Sequence, residues 1–556
     1  VRARLAPLAL ALACCAAPRA PPGPPLPAPV APEASSAAPD PDPGPAPDPE
    51  GLVLTLRISR PGPTADEVLH VLRPLLPWGA VVPPDVAIAA GLGRDVADAV
   101  DLDGPADLAV ARRAGAAPLA AIAVSLRPPR EALAALEERF RLVPGPGGVL
   151  ALSPRAHDDA DPVAARMRAC EVAPARGGPP LRLVCGADAD ATAALAPYLT
   201  RTAARADTPA DAHLEVRLRP FLDELSRARQ TGRLGLAAGA PVERVGAKIA
   251  SALAFGPFGE VEALSLDLRL GAFAADLTAS AQLEGDAATI ARLAAWTAPP
   301  AGPPPEGFFH LPEGTGTALF TRGAGATALD PLGPIVFGAP PAGAQAGGET
   351  ERRLALFASR LLSHDPLVIA HGRGGWLAAI EEPGARWTLL LRDVAAAPPG
   401  GARRVALAPL PRAAGLPKIA LHLEIRTAGA PDAHVLVVPG DTRTWIAVGR
   451  DPALAAARVR EAVLAPPRAG LDEIRAAPLR AGGFTTLADL GLLALELAPP
   501  GDAAGAADLA RRIAALPSRG ETPIQLLVVP GSAAGTWTLR IHAPRAAIDD
   551  LVELAR

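Results

Sequence analysis

The sequence predicts an α+β protein: antiparallel sheet with one face covered by helices, assembled from repeated strand–strand–helix units. Three observations predict it. Several segments alternate apolar and polar residues with period two. Amphipathic segments with helix-start signals follow them. The same order also recurs, as "VLVVPGDTRTWIAVGRDPALAAARVREAV" (435–463) beside "LLVVPGSAAGTWTLRIHAPRAAIDDLVEL" (526–554).

The alternation is clear in four places. Leu264, Leu266, Leu268 and Leu270 oppose Ser265, Asp267 and Arg269. Leu277, Ala279, Ala281 and Leu283 oppose Asp276, Thr278, Ser280 and Gln282. Ile419, Leu421, Leu423 and Ile425 oppose Lys418, His422, Glu424 and Arg426; Leu214, Val216 and Leu218 oppose His213, Glu215, Arg217 and Arg219. Successive strand side chains point to opposite faces, so these are strands with one dry and one wet face. Parallel sheets are covered on both sides and read as continuous apolar runs, so the pattern argues for antiparallel pairing.

Three segments read as helices. "DAATIARLAAW" starts at Asp286, a good N-cap. "DPALAAARVREAVL" has Asp451 as cap and Pro452 at the first helical position, where the missing N–H costs nothing. "PRAAIDDLVELAR" places Ile548, Leu551, Val552 and Ala555 on one stripe. The paired carboxylates Asp549-Asp550 and Glu137-Glu138 fall on helices, where adjacent residues point apart, and read as solvent-side charge.

The recurrence divides the folded part. "LSLDLRLGAFAADLTASAQLEGDAATIARLAAW" is a looser copy of the unit and ends just before "TAPPAGPPPEG", the best internal linker. "GTALFTR" after it echoes "GLVLTLR". The expected organisation is a signal peptide (1–13), a Pro/Ala-rich disordered tether (14–50), an N-terminal α+β domain (51–296), a linker (297–306) and a C-terminal α+β domain (307–556).

Composition is skewed toward Ala, Pro, Gly and Arg. The chain has 66 prolines, 53 glycines and 54 Lys+Arg. Lys248 and Lys418 are the lysines, so nearly all cations are arginine, as a GC-rich coding sequence produces. Net charge is −4, so no basic field argues for nucleic acid. Outside the first 20 or so residues no apolar run is long enough to span a bilayer, which takes about 20 residues.

The N-terminal stretch carries the one family resemblance. A basic start, Val1-Arg-Ala-Arg4, precedes an apolar run interrupted by Pro7 and ending Ala11-Leu12-Ala13-Cys14-Cys15. This resembles the signal peptide and lipobox of bacterial lipoproteins, over the first 15 or so residues. The resemblance implies lipidation at Cys14, or alternatively at Cys15, and a membrane anchor in the cell envelope, at the periplasm or outer membrane. The sequence departs from the family in having Ala11 three residues before Cys14, where Leu is preferred. Ordinary secretory cleavage after Ala11-Leu12-Ala13 is the rival reading. The following "PDPDPGPAPDPE" cannot bury a core and extends about 3.1 Å per residue where polyproline-like, which suits a tether.

Cys170 and Cys185 flank a Gly-Gly-Pro-Pro turn. Outside the cytoplasm they are expected to form a disulfide across a hairpin.

The common catalytic motifs do not occur in the sequence. There is no H-E-x-x-H, G-x-S-x-G, P-loop or Rossmann fingerprint. His364, Asp365 and His371 have metal-binding side chains, but the strand between them separates the two imidazoles by about 23 Å, so no metal centre is expected. His157-Asp158-Asp159 reads as a solvated loop. The best surface candidate is His213, His422 and His542 with Arg217, Arg426 and Arg540, all on polar strand faces, gathered as an anion-binding patch if the sheet continues.

The function expected is that of a membrane-tethered, non-enzymatic envelope protein with a binding or scaffold role and no cofactor. Its partners would be the membrane and a protein. The alternatives are a periplasmic carrier of lipid or another hydrophobic ligand, and an enzyme whose site would be a buried cluster of His and carboxylates drawn from both halves.

Overall fold

A computed structural model describes residues 44–72, 84–113, 117–154, 169–176, 181–218, 261–283, 303–322, 348–398, 403–411, 415–427, 431–464, 466, 474–475, 479–497, 503–530 and 536–555. The signal, Cys14, Cys15, most of the tether, the His157-Asp158-Asp159 stretch and the segment expected to be helical from Asp286 lie outside these residues. The protein is mixed α+β, and its strand pairings are antiparallel. It divides into two compact units, Val1–Ala65 with Val82–Pro209 and Asp66–Val81 with Ala210–Arg556.

The first unit holds β1 (Leu52–Ile58), β2 (Ala106–Ala111), β3 (Leu119–Ser125), β4 (Phe140–Pro144), β5 (Leu150–Pro154), β6 (Cys170–Pro174) and β7 (Leu181–Gly186). Helix α1 (Pro61–Leu72) spans the division in sequence; α2 (Pro84–Leu92), α3 (Arg94–Ala99), α4 (Pro129–Arg139) and α5 (Ala189–Arg201) follow. Backbone ladders give the order β1-β2-β3-β7-β6-β5-β4. Alternate residues feed two cores: Val184 packs with Leu195 and Leu199 of α5, and Leu183 packs with Leu136 of α4 and Val96 of α3. The carboxylate of Asp188 caps α5 by accepting the Ala191 N–H at 2.7 Å.

The second unit contains β8 (Ala212–Arg217), β9 (Val261–Leu270), β10 (Ala274–Leu283), β11 (Thr315–Thr321), β12 (Leu367–Gly372), β13 (Gly375–Ile380), β14 (Arg403–Ala408), β15 (Leu421–Thr427), β16 (Ala433–Pro439), β17 (Thr444–Gly449), β18 (Ala481–Thr485), β19 (Ile524–Pro530) and β20 (Thr536–Pro544). Its helices are α6 (Glu349–Leu362), α7 (Ala385–Ala395), α8 (Pro452–Leu464), α9 (Leu487–Leu497), α10 (Ala503–Ala514) and α11 (Arg545–Ala555). The ladder runs β8-β9-β10-β20-β19-β18-β11-β12-β13-β17-β16-β15-β14.

The four alternating segments all fold as strands, and both long quoted stretches fold as two paired strands and a helix. Asp451 caps α8, its carboxylate accepting the N–H groups of Ala453 and Leu454. The tight β12–β13 connection needs glycine at 375. Its φ is +100°, and a Cβ there would lie 2.3 Å from the Val448 carbonyl oxygen.

The two compact units meet in sequence at Pro209 and Ala210, and the expected linker at 297–306 falls inside the second. The β9–β10 hairpin pairs with β20 along its length, so strands from both sides of that linker share one ladder. The expected antiparallel sheet with helices on its face is observed, and in the middle of the second sheet helices cover the other face as well. Phe320, Val368, Ala379 and Trp445 pack against α8 and Phe308. Their strand neighbours Ile369, Ala378 and Ile446 pack against Leu361 of α6 and Trp387 of α7. The stripe expected on α11 is rotated. Leu551 is exposed, while Ala547, Asp550 and Val552 are buried. Ile419, expected to open a strand, is also exposed, and β15 begins at Leu421.

Candidate functional site

The register of β8-β9-β10-β20 builds a polar surface from rows of side chains. One row is His213, Asp267, Thr278 and Arg540. The next in one direction is Arg269, Asp276, His542 and Gln525. The next in the other is Glu215, Ser265, Ser280 and Thr538, with Arg217 one row beyond. Cross-strand partners share a face, so these groups stand side by side. Nδ1 of His213 lies 2.6 Å from Oδ1 of Asp267, and Nδ1 of His542 lies 2.7 Å from Oδ1 of Asp276. Ser280 and Thr538 share a hydroxyl hydrogen bond at 3.1 Å. The surface is half-exposed, and its charge is mixed. β9 and β10 contribute the two aspartates that face the histidines of the expected patch.

His213, Arg217, Arg540 and His542 are thus brought together, but His422 and Arg426 are not. His422 does lie on the same face and in the same row as His542. That row reads His542, Gln525, Phe484, Ala318, Ala370, Leu377, Ala447, Leu436, His422. Eight strand spacings of about 4.8 Å place them roughly 38 Å apart along the sheet. The residues from Phe484 to Leu436 belong to the buried core under α8. His422 itself is buried, with Nε2 3.1 Å from Nδ1 of His434 and Nδ1 2.8 Å from the carbonyl oxygen of Pro409. A carbonyl only accepts, so Nδ1 of His422 carries a proton. Burial, then the neighbouring His422, push the His434 imidazolium below the ordinary histidine value. Arg426 is exposed and donates to Glu424.

A second cluster was not foreseen. His371, on β12 between Thr317 of β11 and Trp376 of β13, is 0% exposed. Its Nδ1 lies 2.9 Å from Oδ1 of Asp489, and its Nε2 lies 3.2 Å from Oε2 of Glu496. Both carboxylates come from α9, seven residues apart and therefore on one helix face. Asp489 is 2% exposed and Glu496 37%. Thr486 caps the helix, its hydroxyl accepting the Asp489 N–H at 3.2 Å. The Trp376 ring lies beside the imidazole, centroids 4.7 Å apart. From α8, Arg458 is buried close by and donates to the Thr315 hydroxyl and the Arg373 carbonyl. Burial lowers the Arg458 guanidinium to about 10, against the pull of Asp489, Glu461 and Glu496. Burial also works against the His371 imidazolium. Its hydrogen bonds and charge attraction to Asp489 and Glu496 outweigh that and hold it above the ordinary histidine value.

The sequence separations of 118 and 125 residues hid this cluster. A local signal was present nonetheless. In "LADLGLLALEL" the two acids share one face of an otherwise apolar helix. His364, weighed earlier with His371, has separate partners: Glu382 at 3.1 Å and the Pro366 carbonyl at 3.0 Å. Among the described residues, no group of three or more His, Cys, Asp or Glu is placed to hold a metal ion.

Cys170 and Cys185 are direct cross-strand partners on β6 and β7 and form a disulfide, Cα atoms 4.1 Å apart. Among the described residues, no helix is long and apolar enough to cross a membrane.

No protein-family model matches the chain. No curated protein matches it either. A solved structure titled "Structure of crystal form III of TP0453" aligns over 46% of this chain and 88% of its own, at 10% identity and a TM-score of 0.21. A score that low carries no argument about fold or role.

Proposed function

We propose that the chain is a membrane-tethered envelope protein whose folded part is a binding or scaffold module rather than an enzyme. Its contact surface is the polar face of β8-β9-β10-β20. The make-up of that face carries the reading. His213, Asp267, Thr278, Arg540, Asp276 and His542 present donors, acceptors and both charges on a broad half-exposed sheet, which suits a macromolecular partner with complementary charge. The Cys170–Cys185 disulfide supports an oxidising compartment. The lipobox-like "ALACC" supports the anchor.

A hydrophobic-ligand carrier is the second reading. It is favoured by the opposite face of the same strands, where Leu214, Leu264, Leu266, Leu268 and Leu277 are half-buried rather than buried.

The test expresses the full chain in a bacterium with an oxidising periplasm. A photo-crosslinking residue replaces Thr278, and labelled fatty acid is supplied. The reading expects label on the membrane fraction, lost in C14A or C15A, and a discrete crosslinked species lost in D267R/D276R. An unlabelled soluble chain with no crosslink would overturn it. Bound lipid in native mass spectra would favour the carrier.

A further inference from the structure

Helix α9 buries Leu487 against Ile513 and Leu516 and carries two acids on the face that meets the sheet, Asp489 buried and Glu496 partly exposed. Leu490, Leu492 and Leu495 are exposed. What the carboxylates meet is the His371 imidazole, with a carboxylate oxygen at each ring nitrogen. A neutral imidazole has one N–H, so one of the two contacts would set a lone pair against an oxygen. Only the doubly protonated ring donates to both.

We propose that His371 is a buried proton-binding site that latches α9 to the sheet, and that loss of this proton releases the helix. The charge count supports a held proton. Imidazolium and the guanidinium groups of Arg458 and Arg450 balance Asp489, Glu496 and Glu461. The other groups facing the site are the Thr315 hydroxyl, shared with Arg458, Glu461 on α8, which faces Arg458, and Arg450, which donates to the Glu496 carbonyl at 3.3 Å. None of these supplies a second proton donor to the ring. On deprotonation, Asp489 or Glu496 loses its donor, and the pair of acids on α9 is left facing a sheet that repels one of them. The sign follows. A folded-state value raised above that of the unfolded chain gives a latch closed below about pH 6.5 and opened as pH rises through the folded value.

The test uses the full chain with ¹³C-labelled histidine, followed by NMR from about pH 5 to about pH 9, a range that brackets histidine titration. H371Q assigns the signal. Amide hydrogen exchange over 487–497 is measured across the same range and corrected for the intrinsic pH dependence. The proposal expects the His371 signal to titrate above the ordinary histidine value of about 6.5. It also expects exchange in α9 to rise at least tenfold across that midpoint. E496Q, at a partly exposed position that keeps the fold, should move both midpoints down together. A His371 ring neutral at pH 6, exchange in α9 that ignores the midpoint, or an E496Q midpoint that does not move would each overturn it.

Discussion

The carboxylate of Asp550 accepts a 2.8 Å hydrogen bond from the backbone N–H of Gly520. It also accepts the Ser518 N–H at 2.9 Å, and Asp550 is 0% exposed. The turn it holds contains Arg519 and Gly520, both at positive φ, and the Gly520 carbonyl accepts the Ala488 N–H in the first turn of α9. Neighbouring Asp549 is an ordinary half-exposed partner of Arg545. The two acids that sequence reasoning treated alike therefore have different consequences. Asp550→Ala strands two N–H groups, each costing about 1–3 kcal/mol when buried unpaired. Asp549→Ala loses an exposed pair worth less than about 1 kcal/mol. Denaturant midpoints of the two variants should separate clearly; equal midpoints would show that the turn does not depend on Asp550.

The Cys170–Cys185 disulfide joins strands that are already paired along their length, with a sequence separation of 15. Closing a loop of that size stabilises by roughly 3 kcal/mol on the chain-entropy argument. Mild reduction, or the C170A/C185A pair, should lower the denaturant midpoint of the first unit and leave that of the second in place. The intact mass should rise by two hydrogens on reduction. A midpoint that does not move would mean the ladder alone sets the local stability.

How much of this was legible in sequence depends on range. Leu264 to Leu270 announce a strand because period-two alternation is local, and Asp451-Pro452 announce a helix start for the same reason. The hairpin across Cys170 and Cys185 was legible because its turn lies between them. Register over many strands was not. That His542 and His422 share a row, with a buried apolar core between them, follows from eight successive pairings that no local pattern encodes. Asp550 failed for a related reason. Its partners lie 30 and 32 residues away, so nothing beside it marked the acid as buried.

The buried His422–His434 pair gives stability a pH dependence of known sign. His434 is held below its ordinary value, so the native state takes up fewer protons than the unfolded chain. The stabilisation is fully present above the unfolded value of about 6.5 and is lost as pH falls through the depressed folded value. Within that window a single proton contributes a slope of at most about 1.4 kcal/mol per pH unit. Urea midpoints measured through mild acid should fall for the wild type and fall less steeply for H434Q. Identical slopes would show that the pair does not report on acid stability.

The polar surface should separate binding from stability. His213 and Asp267 are each about a third exposed, and His542 and Asp276 are more open still. Exposed pairs contribute less than about 1 kcal/mol, and surface substitutions commonly stay within about 0.5 kcal/mol. H213N and H542N together should therefore leave the denaturant midpoint nearly unchanged. A partner seated on this face would respond differently, because rim charges act on the rate and salt dependence of association. The D267R/D276R chain should then lose the partner while keeping its fold, and the wild-type interaction should weaken with added salt. Loss of fold in the mild double variant would make these pairs structural and would remove the surface from the list of contact sites.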